Sequence, residues 1–118
     1  MKIIEAISRI DSLKPNAYSS RQKILWLSQL EALVHNQVLR QELPFPGFTE
    51  DTDTGRELFM EAPFDVAYLY WLEAQIHYAN EDIDLYNSAI RLFTDAYRAF
   101  QLDYHGKHAA ASSGRFRF

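Results

Sequence analysis

The sequence predicts an all-α fold, a small helical bundle with a long C-terminal helix, and three observations lead to this class. Apolar residues recur at helical spacing over most of the chain. Prolines and glycines are concentrated between those stretches. The 118 residues, 47% hydrophobic and 24% charged, are enough for one core but not for two. We therefore expect one helical domain over residues 1–104 and a C-terminal tail over residues 105–118.

Two patterns predict the N-terminal helices. A helix over residues 2–13 is predicted by isoleucines at three- and four-residue spacing, namely Ile3, Ile4, Ile7 and Ile10. The turn "KPN" at 14–16 ends it, because a residue that precedes proline is disfavoured in helical conformation. Ser19 followed by Gln22 is a capping-box pattern. It predicts a second helix over about 20–40.

The segment over residues 41–62 breaks this periodicity. It carries six acidic side chains and one basic side chain, together with prolines and glycines. We expect a long acidic surface loop here, with a short extended piece over 57–62. Loops of this length are usually functional or ordered by a partner.

The strongest helical signal begins after Pro63. Ten apolar residues from Leu69 to Phe100 follow a 3-4-3-4 spacing, which predicts a helix about 48 Å long if unbroken. Asn80 could cap a new helix, so two consecutive helices remain open. A second apolar row widens the face beyond what one partner helix covers. We therefore predict packing between subunits through Trp71, Tyr78, Leu85, Tyr86, Phe93 and Tyr97.

The tail has a different composition. Gly106 can end the long helix, residues 109–114 are a small-residue linker, and the final "RFRF" alternates with the period of a strand. This alternation would suit addition of the tail to a partner as an edge strand, whereas a frayed terminus is the alternative. The residues that we predict to bind a partner are Arg115, Phe116, Arg117 and Phe118.

No pattern predicts catalysis, a metal or a cofactor. Glu73 and His77 have a usable metal-ligand spacing, but they belong to a polar row beside the apolar stripe, which we expect to be a solvated or interface face. A calcium loop at 51–55 fails because Ala62 stands where a bidentate Glu is needed. Cysteine is absent, and neither a serine elbow nor a phosphate-binding glycine loop occurs. We expect a protein that is not an enzyme.

Charge and hydropathy restrict the partners. The middle of the chain is acidic, whereas residues 105–118 carry three basic side chains and no acidic ones. An acidic body is a poor candidate for gripping nucleic acid. No stretch approaches the roughly 20 apolar residues of a membrane span. Basic ends and an acidic middle would suit contacts between neighbouring copies or with another protein.

Two segments carry a family resemblance. "IDSLKPNAYSSRQKILWLSQLEALV" (10–34) and "APFDVAYLYWLEAQIHYANEDIDLYNSAIRLFTDAYRAF" (62–100) resemble the head-tail connector, or neck adaptor, proteins of tailed bacteriophages and prophages. The most specific pieces are the "LKPN-Y" turn and "YLYWLEAQIHYAN" running into "LYNSAIRLFTDAY". The resemblance implies a virion structural protein, assembled in the host bacterial cytoplasm and located in the neck. It also implies a homo-oligomeric ring, typically of twelve copies, between the portal and a tail-completion or stopper protein.

In this interpretation the tail contacts the portal. Phe116 and Phe118 would anchor in portal pockets, and Arg115 and Arg117 would pair with acidic portal groups. DNA would pass through the lumen only as cargo, since an acidic wall repels it. The rival interpretation is a small helical binding or regulatory module, monomeric or dimeric, that uses its polar helix face for a ligand or metal.

Overall fold

The computed structural model describes residues 1–39, 45–49 and 51–116, with side chains up to residue 107. The α-helices formed within these ranges are α1 (Ile3–Leu13), α2 (Ser20–Val34), α3 (Val66–Ala79) and α4 (Ile83–Phe116). A π-helical segment, His35–Leu39, continues α2. The predicted all-α class, with a long C-terminal helix, is confirmed.

Helix α1 buries the isoleucine stripe from which it was predicted, except that Ile4 is exposed. The first N–H groups of a helix have no intrahelical acceptor. Here the Ile3 N–H donates to the Arg56 carbonyl (3.1 Å) and the Ile4 N–H to the Thr54 carbonyl (2.9 Å). The acidic loop therefore supplies the acceptors that α1 needs.

Helix α2 begins with the predicted cap. The Ser19 hydroxyl accepts a hydrogen bond from the Gln22 N–H (3.1 Å). The buried Lys23 ammonium donates to the Asp11 carboxylate (2.6 Å) and to the Tyr18 carbonyl (2.8 Å), so α1 and α2 are joined by a satisfied charge. The predicted helix over 20–40 becomes π-helical at His35, and residue 40 lies outside the described residues.

The sequence predicted a surface loop, but this loop is not confined to the surface. Phe48, Leu58 and Met60 are buried in the core, and the Phe48 N–H donates to the Ser28 hydroxyl (2.8 Å). The apolar side chains of the loop fill space between the helices, which explains the difference. The extended piece predicted over 57–62 is limited to an isolated bridge of Glu57 with Lys2. Residues 40–44 and 50 lie outside the described residues.

Helix α3 ends in a Schellman turn, so the long helix is broken. The Asp82 N–H donates to the His77 carbonyl (2.9 Å) and the Glu81 N–H to the Tyr78 carbonyl (3.0 Å). Glu81 takes the left-handed conformation, with φ of 61°. This position usually carries glycine. The sequence left one or two helices open, and the structure has two.

Helix α4 is capped by Asp82 rather than by Asn80. The Asp82 carboxylate accepts from the Leu85 N–H (3.1 Å), as an N-cap side chain does. Asn80 is instead the last residue of the α3 turn, and its side-chain oxygen accepts from the Tyr18 hydroxyl (2.6 Å). The break therefore lies where the sequence indicated, but the capping residue is two positions further on.

Helices α3 and α4 fold back on each other as an antiparallel hairpin. Three aromatic pairs, each symmetric about residue 82, define its register: Tyr78 with Tyr86 (5.4 Å between centroids), Trp71 with Phe93 (5.1 Å) and Phe64 with Phe100 (6.0 Å). The faces of the two helices that carry these rings therefore pack against each other.

Helix α4 continues past Gly106, where the sequence had led us to expect its end. An isolated glycine costs a helix only about 1 kcal/mol, and the alanines at 109–111 are strong helix formers. The backbone of Arg115 and Phe116 is helical in the chain by itself, and residues 117 and 118 lie outside the described residues. Addition of the tail to a partner as an edge strand stays a prediction. We call residues 105–116 the projecting end. It places Phe116 about 18 Å beyond Tyr104 along the helix axis.

Candidate functional site

A buried hydrogen-bond network joins α2, α3 and the loop. Glu31, only 8% exposed, accepts from the Tyr68 hydroxyl (2.5 Å) and from the Phe59 N–H (3.1 Å). The Met60 N–H donates to the Tyr68 hydroxyl oxygen (2.8 Å). Both Glu31 oxygens thus accept hydrogen bonds within the chain, as expected of a residue that stabilises the fold.

Burial explains the electrostatics of this network. It raises the pKa of Glu31 above its ordinary value, although the hydrogen bonds from Tyr68 and Phe59 oppose the change. Burial, together with the charge of Glu31, raises the pKa of Tyr68 and that of Tyr97. The Tyr97 hydroxyl donates to the Gln37 side-chain oxygen (3.0 Å). Both phenols therefore remain protonated donors at neutral pH.

The sequence analysis missed this network. Glu31 follows Leu27 by four residues and precedes Val34 by three, so it lies on the apolar stripe of α2. An acid at such a position is buried only when it is paired or hydrogen-bonded. That position was the available signal, but its partners are 28 and 37 residues away in the chain.

The polar row of α3 faces the connection between α1 and α2. The Glu73 carboxylate lies 3.6 Å from the Lys14 ammonium and 3.9 Å from His77 Nε2, and Asn80 is bonded to Tyr18. The row is therefore an interface within the chain. A lysine beside the carboxylate disfavours a cation, and the described ranges contain no group of three or more residues able to hold a metal.

The residues predicted to pack between subunits divide into two groups. Phe93 and Tyr97 are buried in this chain, and Trp71 packs on Phe93 while its Nε1–H donates to the Trp26 carbonyl (2.7 Å). The sequence argument was that the wide apolar face needs neighbours, and the fold-back of α4 onto α3 covers part of that face within the chain. Packing between subunits through these residues stays a prediction.

The second group lies at the tip of the hairpin. Tyr78 is 62% exposed and packs against the half-buried Tyr86 in a tilted ring pair. Leu85 is 48% exposed and Ile83 is 55% exposed. These residues remain available for a contact between subunits.

A groove of about 440 Å³ lies between the end of the loop and α4. Its floor is aromatic: the Phe59 ring lies 6.0 Å from that of Phe100 and 5.9 Å from that of Tyr104, and Phe64 lies 6.0 Å from Phe100. Its rim is formed by Glu57, Glu61, Asp103 and Lys107. We call it the acid-aromatic groove.

The rim of this groove carries more negative than positive charge. Glu57 is paired with the Met1 amino group (3.1 Å) and Asp103 with Lys107 (3.0 Å). Glu61 is exposed, and the described residues contain no ion pair to it within 4.0 Å. Three carboxylates therefore face two cationic groups, and Glu61 offers the charge that is not neutralised. Sequence reasoning missed this groove because Phe59 and Phe100 come from distant segments.

The predicted docking residues Arg115, Phe116, Arg117 and Phe118 lie at the far end of the chain. The helical backbone of the projecting end carries the first two. Their role in binding a partner remains a prediction.

Comparison of this chain with protein-family models, curated proteins and solved structures gives no match. Among the described helices, none is both long enough and apolar enough to cross a membrane.

Proposed function

We propose that this chain is a structural subunit of the tailed-phage neck, a head-tail connector that forms a ring between portal and tail-completion proteins. The observation that carries the proposal is the projecting end of α4, a helical arm about 18 Å long on a body whose main apolar faces are covered. Such an arm, which ends in arginines and phenylalanines, suits docking to another chain. The resemblance of residues 10–34 and 62–100 to neck adaptors supports the same class.

The proposed mechanism is architectural. The helical body forms the wall of the ring, with Tyr78 and Leu85 of the hairpin tip available to a neighbouring copy. The acidic character of residues 41–104 would let DNA slide past without adhering, since like charges repel. No catalytic group or cofactor takes part. The ring would assemble in the host bacterial cytoplasm, and the resemblance implies twelve copies.

The test is binding to the portal protein encoded in the same phage or prophage genome. The purified full-length chain and portal ring are mixed and examined by sedimentation velocity and negative-stain electron microscopy. We expect co-sedimentation and an added ring of density beneath the portal. The control is a portal ring from an unrelated phage. A chain that sediments alone at every ratio of the cognate pair would overturn the proposal.

The rival, a binding module that uses the polar row, has less support. Lys14 lies beside Glu73, and Asn80 is already bonded to Tyr18. A melting temperature that rises with added Zn²⁺ in the wild type, and no longer does so in His77→Ala, would favour the rival.

A further inference from the structure

We propose that the acid-aromatic groove binds the C-terminal segment of a second copy, residues 115–118. This inference deepens the proposed ring by assigning the contact between its subunits. It rests on the proposed function only for the place of the ring in the phage neck. The contact between subunits can be tested without a portal. It also replaces the portal, as the receptor of the tail, with a neighbouring subunit.

The chemistry of the groove matches that of the segment. The tail alternates two arginines with two phenylalanines, and the groove sets carboxylates at its rim above a floor of aromatic rings. Phenylalanine rings pack favourably edge-to-face against other rings, as Phe59 already does with Phe100 at an interplanar angle of 83°. Guanidinium groups pair with carboxylates and also stack on aromatic faces. The arginines of the segment can therefore pair with the carboxylates, and its phenylalanines can pack on the aromatic rings.

The groove is large enough to take side chains of the segment. Its volume of about 440 Å³ lies in the range of about 300–1,000 Å³ that is typical of sites for small ligands. Phe59 is partly exposed despite its contacts with two rings, so apolar surface is available at the floor. Glu61 supplies a carboxylate at the rim that is not engaged by any described cation.

The occupant has to come from another copy. The groove is lined on the α4 side by Phe100, Asp103, Tyr104 and Lys107. The helix then runs on without a break, so Phe116 lies about 14 Å beyond Lys107 along the axis. A segment carried away from the groove by its own helix cannot enter it while that helix persists. The same arm can reach the groove of a neighbour.

A contact of this kind fixes the type of assembly. The tail of one copy meets the groove of the next, so the two contacting surfaces are different. Such head-to-tail interfaces generate closed rings, or open filaments if the rotation does not close. Each subunit then has one donor tail and one acceptor groove.

The test uses two full-length variants. In the donor variant, Arg115→Glu and Arg117→Glu reverse the charge of the tail. In the acceptor variant, Glu61→Arg reverses the free charge of the groove. The control is Asp95→Arg, the same type of change at an exposed position of α4 outside the groove. Circular dichroism melts should show that all three variants keep the wild-type fold.

Sedimentation velocity over a concentration series then measures self-association. We expect the wild type and Asp95→Arg to associate, and the donor and acceptor variants each to associate at least about tenfold more weakly. Mixing the two variants should restore association, because the intact tail of one meets the intact groove of the other and the reversed tail meets the reversed groove. Combining both sets of changes in one chain should restore association through the swapped charges.

Three results would overturn the inference: a wild type that stays monomeric up to its solubility limit, self-association that neither variant weakens, or a mixture that associates no better than either variant alone. If the donor variant lost portal binding while self-association was unchanged, the tail would belong to the portal, so this inference would fail and the proposed function would stand. If mixing the variants restored association but the wild type did not bind the portal, this inference would stand and the proposed function would fail.

Discussion

The body and the projecting end of the same long helix are stabilised differently. In the first part of α4, Phe93, Tyr97 and Phe100 are buried against α3, the π-helical segment and the loop. Beyond Tyr104 the sequence turns to alanine, serine and glycine, and a Cβ at Gly106 would meet nothing within 4 Å. Tertiary packing holds the first part, whereas at Gly106 the described residues show no such packing and helix propensity is what favours the helix. Substitutions should therefore lower the free energy of unfolding strongly in the body and change it little in the projecting end.

The largest effect is expected for Phe100→Ala. This side chain is 5% exposed and contacts the rings of Phe59, Phe64 and Tyr104. Its removal should lower the free energy of unfolding by about 3–5 kcal/mol, because burial is lost and a cavity remains. Urea unfolding followed by circular dichroism measures this value. Leu102→Ala, two residues on and 69% exposed, is the control and should change it by less than about 0.5 kcal/mol. Similar losses for both would contradict the comparison.

Glu31→Ala should come next. The change leaves the buried Tyr68 hydroxyl and the Phe59 N–H without their acceptor. We expect a loss of about 2–3 kcal/mol, since each unsatisfied buried donor costs about 1–3 kcal/mol and removal of a buried carboxyl offsets part of it. The same urea experiment applies, with the exposed Asp95→Ala as control. A loss no greater than that of the control would show that the network does not tie the body together.

The free energy of unfolding should depend on pH through the same carboxyl, that of Glu31. Its pKa is raised above 4.5 in the folded protein by burial, so folding takes up a proton. The stability that protonation contributes is fully present below the ordinary pKa and is lost as pH rises through the folded pKa. Glu31→Gln removes this titration. The difference between wild type and variant should change by up to about 1.4 kcal/mol per pH unit in that window and level off above it.

Urea unfolding of both proteins between about pH 4 and pH 8 measures this difference. Groups that the two proteins share cancel in the comparison. A difference that stays constant across the whole range would mean that Glu31 titrates alike in the folded and unfolded chains.

The smallest effect is expected in the projecting end, for Gly106→Ala. The helix continues through this residue and the added methyl group meets open space. Alanine should therefore stabilise the helix by up to about 1 kcal/mol, which circular dichroism would record as a small gain in helical signal. The matched change Gly47→Ala, at φ of 85°, should instead destabilise, because a side chain is strained in that conformation. A loss of helix in Gly106→Ala would contradict the view that nothing packs there.

The sequence was sufficient where one local pattern decides the outcome. The isoleucines predicted α1, and Ser19 with Gln22 predicted the start of α2. The fold-back at residue 82 could not be decided, because the 3-4 spacing continues across the turn. Glu81 also occupies the left-handed position where glycine would have been the signal. The acid-aromatic groove was missed because its floor joins Phe59 to Phe100, and only tertiary packing brings these segments together.

The Schellman turn also affects the order in which the chain folds. It brings together residues that are near in sequence, such as Tyr78 and Tyr86, and such local contacts form fast because little loop entropy is lost. The contacts that close the body span longer distances, since Tyr18 bonds Asn80 62 residues away and Gln37 bonds Tyr97 60 residues away. We expect the hairpin to act as the nucleus on which the other helices assemble. Helices α1 and α2, which leave the ribosome first, would then complete their packing only after α4 has been synthesised.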